Sequence, residues 1–467
     1  MVLGRVARGV GDALTGMQET LWGDPVVRLG VTGLARAGKT VFITSLVANL
    51  LDRGRMPQFP GLIRVEAAYL QPQPHVTIPR FDYEAHLAAL TGPAPHWPDS
   101  TRNVSELRLS LRLAPQGLLG GLRGPRTLHI DIIDYPGEWL LDLGLMERTY
   151  ADWAERVLAA VASRPEAADF VALARAEDAG LPFAEPAARR LAEGWTGALK
   201  AMRAAGWSDG TPGRFLLPGE LGGSPALTFA PMPRPAAPPR GSLWREMERR
   251  FEGYKSAAVA PLFRDHFARI DRQVVLMDVL GAVRAGPRAL EDQRRTMAEI
   301  LRAFRPGANG FLRGLLGLRR VERILFAATK ADHLHHVEHP RLTALVEAML
   351  REARDRAAFA GAGTAAMSIA ALRATTEEMR PHNGAELPCV RGRLLEDGRS
   401  VALYPGSLPE DPQRLLVPAR EGAERWLEAE FGLMTFAPAP LFLKPGEGPP
   451  HIRLDRAAAF LLGDRLG

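Results

Sequence analysis

Residues 26–51 read VVRLGVTGLARAGKTVFITSLVANLL, and this stretch decides the fold class. Its first six residues are mainly apolar and predict a buried strand, whereas the apolar residues from 39 to 51 recur at helical spacing. Between strand and helix, residues 33–40 satisfy the pattern G-x-x-x-x-G-K-[ST] at every fixed position. A strand, a glycine-containing loop and a helix in this order predict an α/β domain with a P-loop after its first strand.

The loop has the residue types that phosphate binding requires. Glycines let the backbone curl so that several N–H groups point at one phosphate, and the following helix adds its positive end. The lysine side chain is expected to reach the terminal phosphates, and the threonine hydroxyl is expected to bind Mg²⁺. The predicted nucleotide-binding residues of this loop are Gly33, Arg36, Ala37, Gly38, Lys39, Thr40 and Val41.

A second motif follows an apolar run in residues 127–138, which read TLHIDIIDYPGE. Asp134 stands at the end of the predicted strand, where a carboxylate beside a phosphate loop can hold Mg²⁺, through water. Gly137 completes D-x-x-G and has no side chain to keep its backbone N–H from a γ-phosphate. Alone, D-x-x-G also fits a turn with an Asx hydrogen bond, so its position after the P-loop carries the prediction.

A third motif, TKAD at residues 329–332, ends another apolar run and matches the [NT]-K-x-D pattern of guanine-specific NTPases. The Asp332 carboxylate can accept hydrogen bonds from both N1–H and the exocyclic amine of guanine, a donor pair that adenine lacks. The stem of Lys330 can lie along the purine, and Thr329 begins the motif. An ordinary strand-to-loop exit with exposed Lys and Asp is the alternative.

The remaining chain predicts a P-loop NTPase of GTPase type, with a mostly parallel sheet flanked by helices. We assign residues 23–138, 272–376 and 450–467 to this domain, residues 139–271 to a helical insertion, and residues 377–449 to a small insertion with a β-hairpin and a helix over 418–430. The proline-rich residues 57–103 are expected to be irregular. Residues 1–22 predict an amphipathic helix, packed on its own domain or bound to a membrane surface or a partner.

The amino-acid composition excludes several classes of protein. The 467 residues are 46% hydrophobic and 24% charged, which are globular values, and the net charge is only +6. No basic block dominates, so no nucleic-acid partner is expected. The single cysteine, Cys389, excludes an internal disulfide and a thiolate zinc cluster. No apolar run is long enough to span a membrane, and we therefore expect a cytoplasmic protein.

Four histidines crowd after the TKAD motif, at positions 333, 335, 336 and 339. Their spacing suits metal ligation poorly, and no cysteine stands beside them. The sequence therefore favours an ordinary solvated loop here over a zinc site.

The order P-loop, D-x-x-G, T-K-x-D resembles that of the Ras-like, translation-factor-related GTPases. The segments GLARAGKTVFITSLVANLL, WPDST and DYPGEWLLDL are similar to those of the YcjX family, bacterial P-loop proteins linked to stress responses. The resemblance implies a protein that binds GTP and GDP, hydrolyses GTP with Mg²⁺, and acts as a nucleotide-dependent switch. It further implies that Thr101 completes the Mg²⁺ shell and that Ala371 and Leu372, with Ala370, contact the purine. A helix N-cap is the alternative for Thr101.

One residue departs from the small-GTPase pattern. Glu138 follows Gly137 where those proteins carry a water-orienting glutamine, and a carboxylate there is repelled by the γ-phosphate unless a cation neutralises it or its pKa rises. We therefore expect slow intrinsic hydrolysis, with Lys39, Gly137 and Glu138 as the catalytic candidates. An arginine from the helical insertion or from a partner can supply the missing charge stabilisation, but spacing selects none.

Two other functions stay open at this level. The phosphate loop also suits an ATPase or a small-molecule kinase. Alternatively, the chain is a nucleotide-binding adaptor, peripheral to the inner face of the membrane, that scarcely hydrolyses its ligand. In each case a protein partner of unknown identity is expected to contact the helical insertion.

Overall fold

The computed structural model describes residues 24–34, 36–99, 103–115, 125–265, 269–303, 321–359, 361–426 and 431–466. The strands in these ranges are β1 Val26–Gly33, β2 Val65–Gln71, β3 Ser105–Leu113, β4 Arg126–Asp134, β5 Arg272–Met277, β6 Arg323–Ala328, β7 Gly363–Ser368, β8 Thr376–His382, β9 Ala385–Arg393 and β10 Ser400–Leu403. Within the described ranges, β1 to β7 form one sheet in the order β2-β3-β4-β1-β5-β6-β7.

The sheet is mostly parallel. Strands β4, β1, β5, β6 and β7 run in the same direction, whereas β3 pairs antiparallel with β4 and β2 pairs antiparallel with β3. Val31 of β1 lies opposite Asp134 of β4. The carboxyl ends of the parallel strands therefore meet at one edge, where ligands bind in open α/β sheets.

The helices lie along the chain between the strands of the large sheet and after them. Their bounds are α1 Lys39–Leu51, α2 Tyr83–Thr91, α3 Gly137–Leu141, α4 Tyr150–Val161, α5 Ala168–Ala176, α6 Glu185–Ala204, α7 Leu243–Tyr254, α8 Ala260–Asp265, α9 Val279–Ala285, α10 Pro287–Ala303, α11 His339–Met349, α12 Arg351–Phe359, α13 Gln413–Arg420 and α14 Leu454–Leu466.

Both faces of the sheet are covered, as parallel sheets require. Successive side chains of a strand point to opposite faces, so Leu325 and Phe326 of β6 enter different cores. One core contains α1 and α14, and the other contains α10, α11 and the helices between residues 139 and 271. The architecture is thus the α/β P-loop architecture that the sequence predicts, with a mostly parallel sheet flanked by helices.

A second, smaller sheet has the order β10-β9-β8 and is antiparallel throughout. The predicted hairpin around Asp397 and Gly398 is confirmed as β9 and β10. A further hairpin joins β8 to β9 through Asn383 and Gly384, which have φ of 50° and 77°. Two consecutive positive φ angles are typical of the tight turn that Asn-Gly favours.

Two local predictions need correction. Residues 57–103 are not wholly irregular, because they contain β2 and α2, the latter capped by Asp82 accepting from the Ala85 N–H at 3.3 Å. The helix predicted over 418–430 instead runs from Gln413 to Arg420 and holds Pro418 inside it. The amphipathic helix predicted for residues 1–22 lies outside the described residues. Of the helices that the structure describes, none combines the length and the apolar character of a membrane span.

Candidate functional site

A cleft of about 480 Å³ opens at the carboxyl edge of the large sheet. This volume lies in the usual range of small-ligand sites. Segments that are far apart in the sequence meet around it, and those after β1, β4, β6 and β7 do so because each follows the end of a parallel strand. Its lining comprises Arg36, Gly38, Lys39, Thr40, Val41, Trp97, Pro98, Asp99, Glu138, Thr329, Lys330, Asp332, His333, Ala370, Ala371, Leu372, Leu395, Thr435 and Phe436.

The residue directly before α1 has a backbone conformation that favours glycine. Gly38 precedes α1 with φ of 79°, a conformation that places its backbone outside the range of most L-residues. The Lys39 Nζ donates to Gly33 O at 3.0 Å, so the ammonium lies against its own loop. Lys39 and Thr40 are nearly buried, at 9% and 8% exposure, and both line the cleft.

The end of β4 lies directly against this loop. A Cβ atom at Gly137 would come within 2.0 Å of Gly33 O and 3.0 Å of Leu34 Cα, so the two backbones touch. Real side-chain carbons do not approach backbone this closely, and only glycine fits. Asp134, which is buried, is the last residue of β4, the strand that pairs directly with β1. The D-x-x-G segment and the P-loop are therefore packed as a unit.

The TKAD motif forms the opposite end of the cleft. The Ala374 N–H donates to Asp332 Oδ2 at 2.9 Å, and the Thr375 hydroxyl donates to the Asp332 carbonyl, so this nearly buried aspartate has a fixed orientation. The Thr329 hydroxyl donates to Met277 O at 3.2 Å. Lys330, at φ of 60°, makes an ion pair with Asp278. This pair positions the lysine stem at the cleft wall.

The loop after β7 completes that end of the cleft. Ala370 exchanges two backbone hydrogen bonds with Ile452, at 3.1 Å and 2.8 Å, which anchors the loop to the segment before α14. Ala371 and Leu372, the predicted purine-contacting residues, line the cleft beside Asp332.

Several lining residues were missed by sequence reasoning. The Trp97 indole N–H donates to Phe436 O at 2.8 Å, and the Phe436 ring meets the His333 ring edge-on at a centroid distance of 5.2 Å. Burial lowers the pKa of His333, so its imidazole is favoured in the neutral form. No sequence pattern predicts that residue 97 contacts residue 436. Only the WPDST similarity indicates that the segment around residue 97 belongs to the site.

Glu138 connects the cleft to the helices between residues 139 and 271. Its carboxylate lies 2.5 Å from the Arg203 guanidinium on α6, and Glu138 is only 7% exposed. Close by, Asp142 accepts from the Gly213 N–H at 2.8 Å and from the Tyr254 hydroxyl at 2.5 Å. Burial raises the pKa of Asp142 to about 7. The segment after β4 is thus fastened to the helical region by an ion pair and a buried carboxyl.

Most of the predicted site residues meet in one place. Among the predicted site residues that the structure describes, four do not line the cleft itself: Gly33, Ala37, Asp134 and Gly137. Gly33 and Gly137 form its backbone support through the contact described above, and Thr101 lies outside the described residues. Lys39 and Asp332, on which the whole interpretation depends, face the same cavity.

Comparison with known proteins identifies the family of the chain. The model of the YcjX-like family (DUF463) matches residues 27–466. The chain is 36% identical over 462 residues to the Ras-like GTPase YcjX of Escherichia coli K12, covering 95% of this chain and 96% of that protein. It is 34% identical over 474 residues to the Ras-like GTPase YcjX of Shewanella oneidensis MR-1, covering 95% of each. The chain belongs to the YcjX-like family.

Proposed function

We propose that the protein binds GTP in the cleft, hydrolyses it slowly with Mg²⁺, and acts as a nucleotide-dependent switch in a stress-related process. The observation that supports this most directly is that Lys39 and Asp332 line one cavity. The names of the two relatives, both Ras-like GTPases, support the same activity.

The phosphates are proposed to lie on the loop that precedes α1. Arg36 and Lys39 supply positive charge to the cleft, and the helix adds its N-terminal dipole. Binding would draw the Lys39 ammonium from Gly33 O to the phosphates, exchanging one hydrogen bond for a charge-assisted one. Gly137 is proposed to offer its backbone N–H to the γ-phosphate.

The base is proposed to lie between Asp332 and the loop after β7. The carboxylate can accept two further hydrogen bonds, one per oxygen, which matches the paired donors of guanine. Ala374 fixes the plane of that carboxylate through its N–H. Ala371 and Leu372 are small or apolar and allow the purine to approach their backbone.

Thr40 and Asp134 offer a hydroxyl and a carboxylate, which are the oxygen donors that Mg²⁺ prefers, so the residues present fit this ion. We propose that they hold it, together with Thr101. When bound, Mg²⁺ would neutralise charge on the phosphates.

Arg203 is proposed to offset the repulsion between the Glu138 carboxylate and the γ-phosphate. The guanidinium neutralises the carboxylate that would otherwise repel a γ-phosphate, and it comes from the helical insertion. A change at the γ-phosphate that moves Glu138 would therefore move α6. We propose that this connection carries the nucleotide state to a protein partner bound at the helical insertion.

Competition between GTP and ATP for the purified chain tests the assignment of the base. GTP should displace a fluorescent guanine nucleotide, whereas ATP should not. In Asp332→Asn, the amide oxygen can still accept from Ala374 N–H while the amide NH₂ faces the base, so preference should move to xanthosine nucleotides.

We expect at least about a 100-fold loss of GTP affinity in this variant, because charged hydrogen bonds to the base are removed. Asp397→Asn, in an exposed turn, is the matched control and should bind as the wild type does. Unchanged guanine selectivity in Asp332→Asn would refute the base assignment.

The ion pair of Glu138 also favours one alternative, an adaptor that binds nucleotide and scarcely turns it over, because Glu138 is already occupied by Arg203. Phosphate release with Mg²⁺, with and without a membrane fraction, separates the two functions. Release in either condition supports the GTPase, and its absence in both supports the adaptor.

A further inference from the structure

Three metal-ligating side chains converge beside the small sheet, outside the cleft lining. His335 and His336 follow the TKAD motif, and Glu377 lies on β8. One ligand atom from each lies within 4.8 Å of the other two. The His336 Nδ1 is 2.5 Å from Glu377 Oε2, and the His335 Nε2 is 3.9 Å from the same oxygen. The supporting glutamate that sequence spacing did not reveal is thus supplied by a distant strand.

We propose that His335, His336 and Glu377 form a binding site for a divalent transition metal of the zinc class. Imidazole and carboxylate are common zinc ligands, and two imidazoles disfavour Mg²⁺ or Ca²⁺. Tetrahedral zinc with bonds of about 2.0–2.1 Å places neighbouring ligand atoms about 3.3 Å apart, and the observed separations bracket this value. Water would occupy the fourth position.

The state of His335 supports the proposal. Its side chain is 7% exposed, its Nδ1 is buried without a hydrogen-bond partner among the described residues, and its Nε2 stands beyond hydrogen-bond distance of Glu377. An ion bound at Nε2 would give that nitrogen a partner, and the buried Nδ1 would carry the proton of the neutral ring.

The Glu377 carboxylate is also held in an orientation that suits metal binding. Arg373 lies 3.4 Å from Glu377 Oε1, on the side away from the histidines, and this leaves Oε2 facing both rings. An outer partner of this kind holds a ligating carboxylate in place. A bound ion would join the turn after Asp332 to the first strand of the small sheet.

Zinc binding to the full chain tests the site directly. The chain is first stripped with a chelator, then dialysed against Zn²⁺ in excess Mg²⁺, and bound zinc is measured by elemental analysis and titration calorimetry. We expect one zinc per chain. His336→Gln and Glu377→Gln should each lower the zinc affinity at least about 100-fold, because loss of even an outer partner costs 10–100-fold.

The variants are chosen so that folding and binding are separable. The His336 side chain is 64% exposed, so its replacement should not change the unfolding temperature in chelator. His382→Gln, at the exposed end of the same strand β8, is the matched control and should keep full zinc affinity. Cobalt should give the visible absorption of a tetrahedral site in the wild type and lose it in His336→Gln. No zinc bound by the wild type, or equal affinity in all variants, would overturn the proposal.

Discussion

Replacing Gly137 by alanine tests whether the segment after β4 and the phosphate loop form one rigid unit. The added methyl group would lie 2.0 Å from Gly33 O, whereas ordinary contacts begin at 3.4 Å. Both partners are backbone, so no side chain can rotate away, and one segment must move by about 1 Å. Gly33 O also holds the Lys39 ammonium. The substitution should therefore disturb the loop before α1 as well as the proposed contact of Gly137 with the γ-phosphate.

We expect Gly137→Ala to lower the free energy of unfolding by about 1–3 kcal/mol, the usual cost of overpacking. GTP and GDP affinity should both fall by about tenfold or more, since each 1.4 kcal/mol is a factor of ten. Fluorescent-nucleotide titration and urea unfolding measure the two effects. Gly144→Ala, in the 3₁₀ segment Asp142–Glu147, is the matched control, because a Cβ there meets nothing within 4 Å. Wild-type affinity for GDP in Gly137→Ala would refute the rigid-unit argument.

Two further predictions concern the connection to the helical region. Arg203→Ala should lower affinity for GTP relative to GDP by up to about tenfold, because Glu138 then repels the γ-phosphate unopposed. Arg190→Ala, on the same helix, is the control and should leave this ratio unchanged. The same ratio of GTP to GDP affinity in Arg203→Ala and in the wild type would contradict the role of Arg203. Asp142 binds its proton more tightly in the folded state, with a pKa of about 7 against 3.8, so its contribution to stability is present below about pH 4 and lost as the pH rises through 7. In urea unfolding from pH 4 to pH 8, the stability of the wild type relative to Asp142→Asn should fall by up to about 4 kcal/mol, and a constant difference would contradict this.

The local motifs were readable from the sequence because their geometry is local. A phosphate loop needs a fixed number of residues between its glycines and its lysine, and the strand and helix on either side have their own periodicity. The structure confirms β1, α1 and the mostly parallel sheet, and it brings Lys39 and Asp332 to one cleft. That convergence follows from a rule about parallel strands, whose carboxyl ends share one edge.

Errors arose where the local pattern was weak. The edge strand β2 lies in a proline-rich region, and most of its residues are at least partly exposed. Its sequence therefore lacks the continuous apolar run by which a buried strand is recognised. The helix α13 begins earlier than its sequence predicts, because proline is typical of a first helical turn whereas Pro418 lies inside the helix. The turn at Asn383 and Gly384 carries a recognised sequence signature that was overlooked.

The sequence by itself therefore determined the class of fold, the phosphate loop and the other two motifs, since each depends on residues within a dozen positions of one another. The tertiary structure was needed to show which arginine of the helices between residues 139 and 271 meets Glu138, which aromatic residues line the cleft, and which carboxylate joins His335 and His336. These contacts join segments tens to hundreds of residues apart. Their side chains meet through the packing of whole helices and sheets, which leaves no periodic trace in the chain.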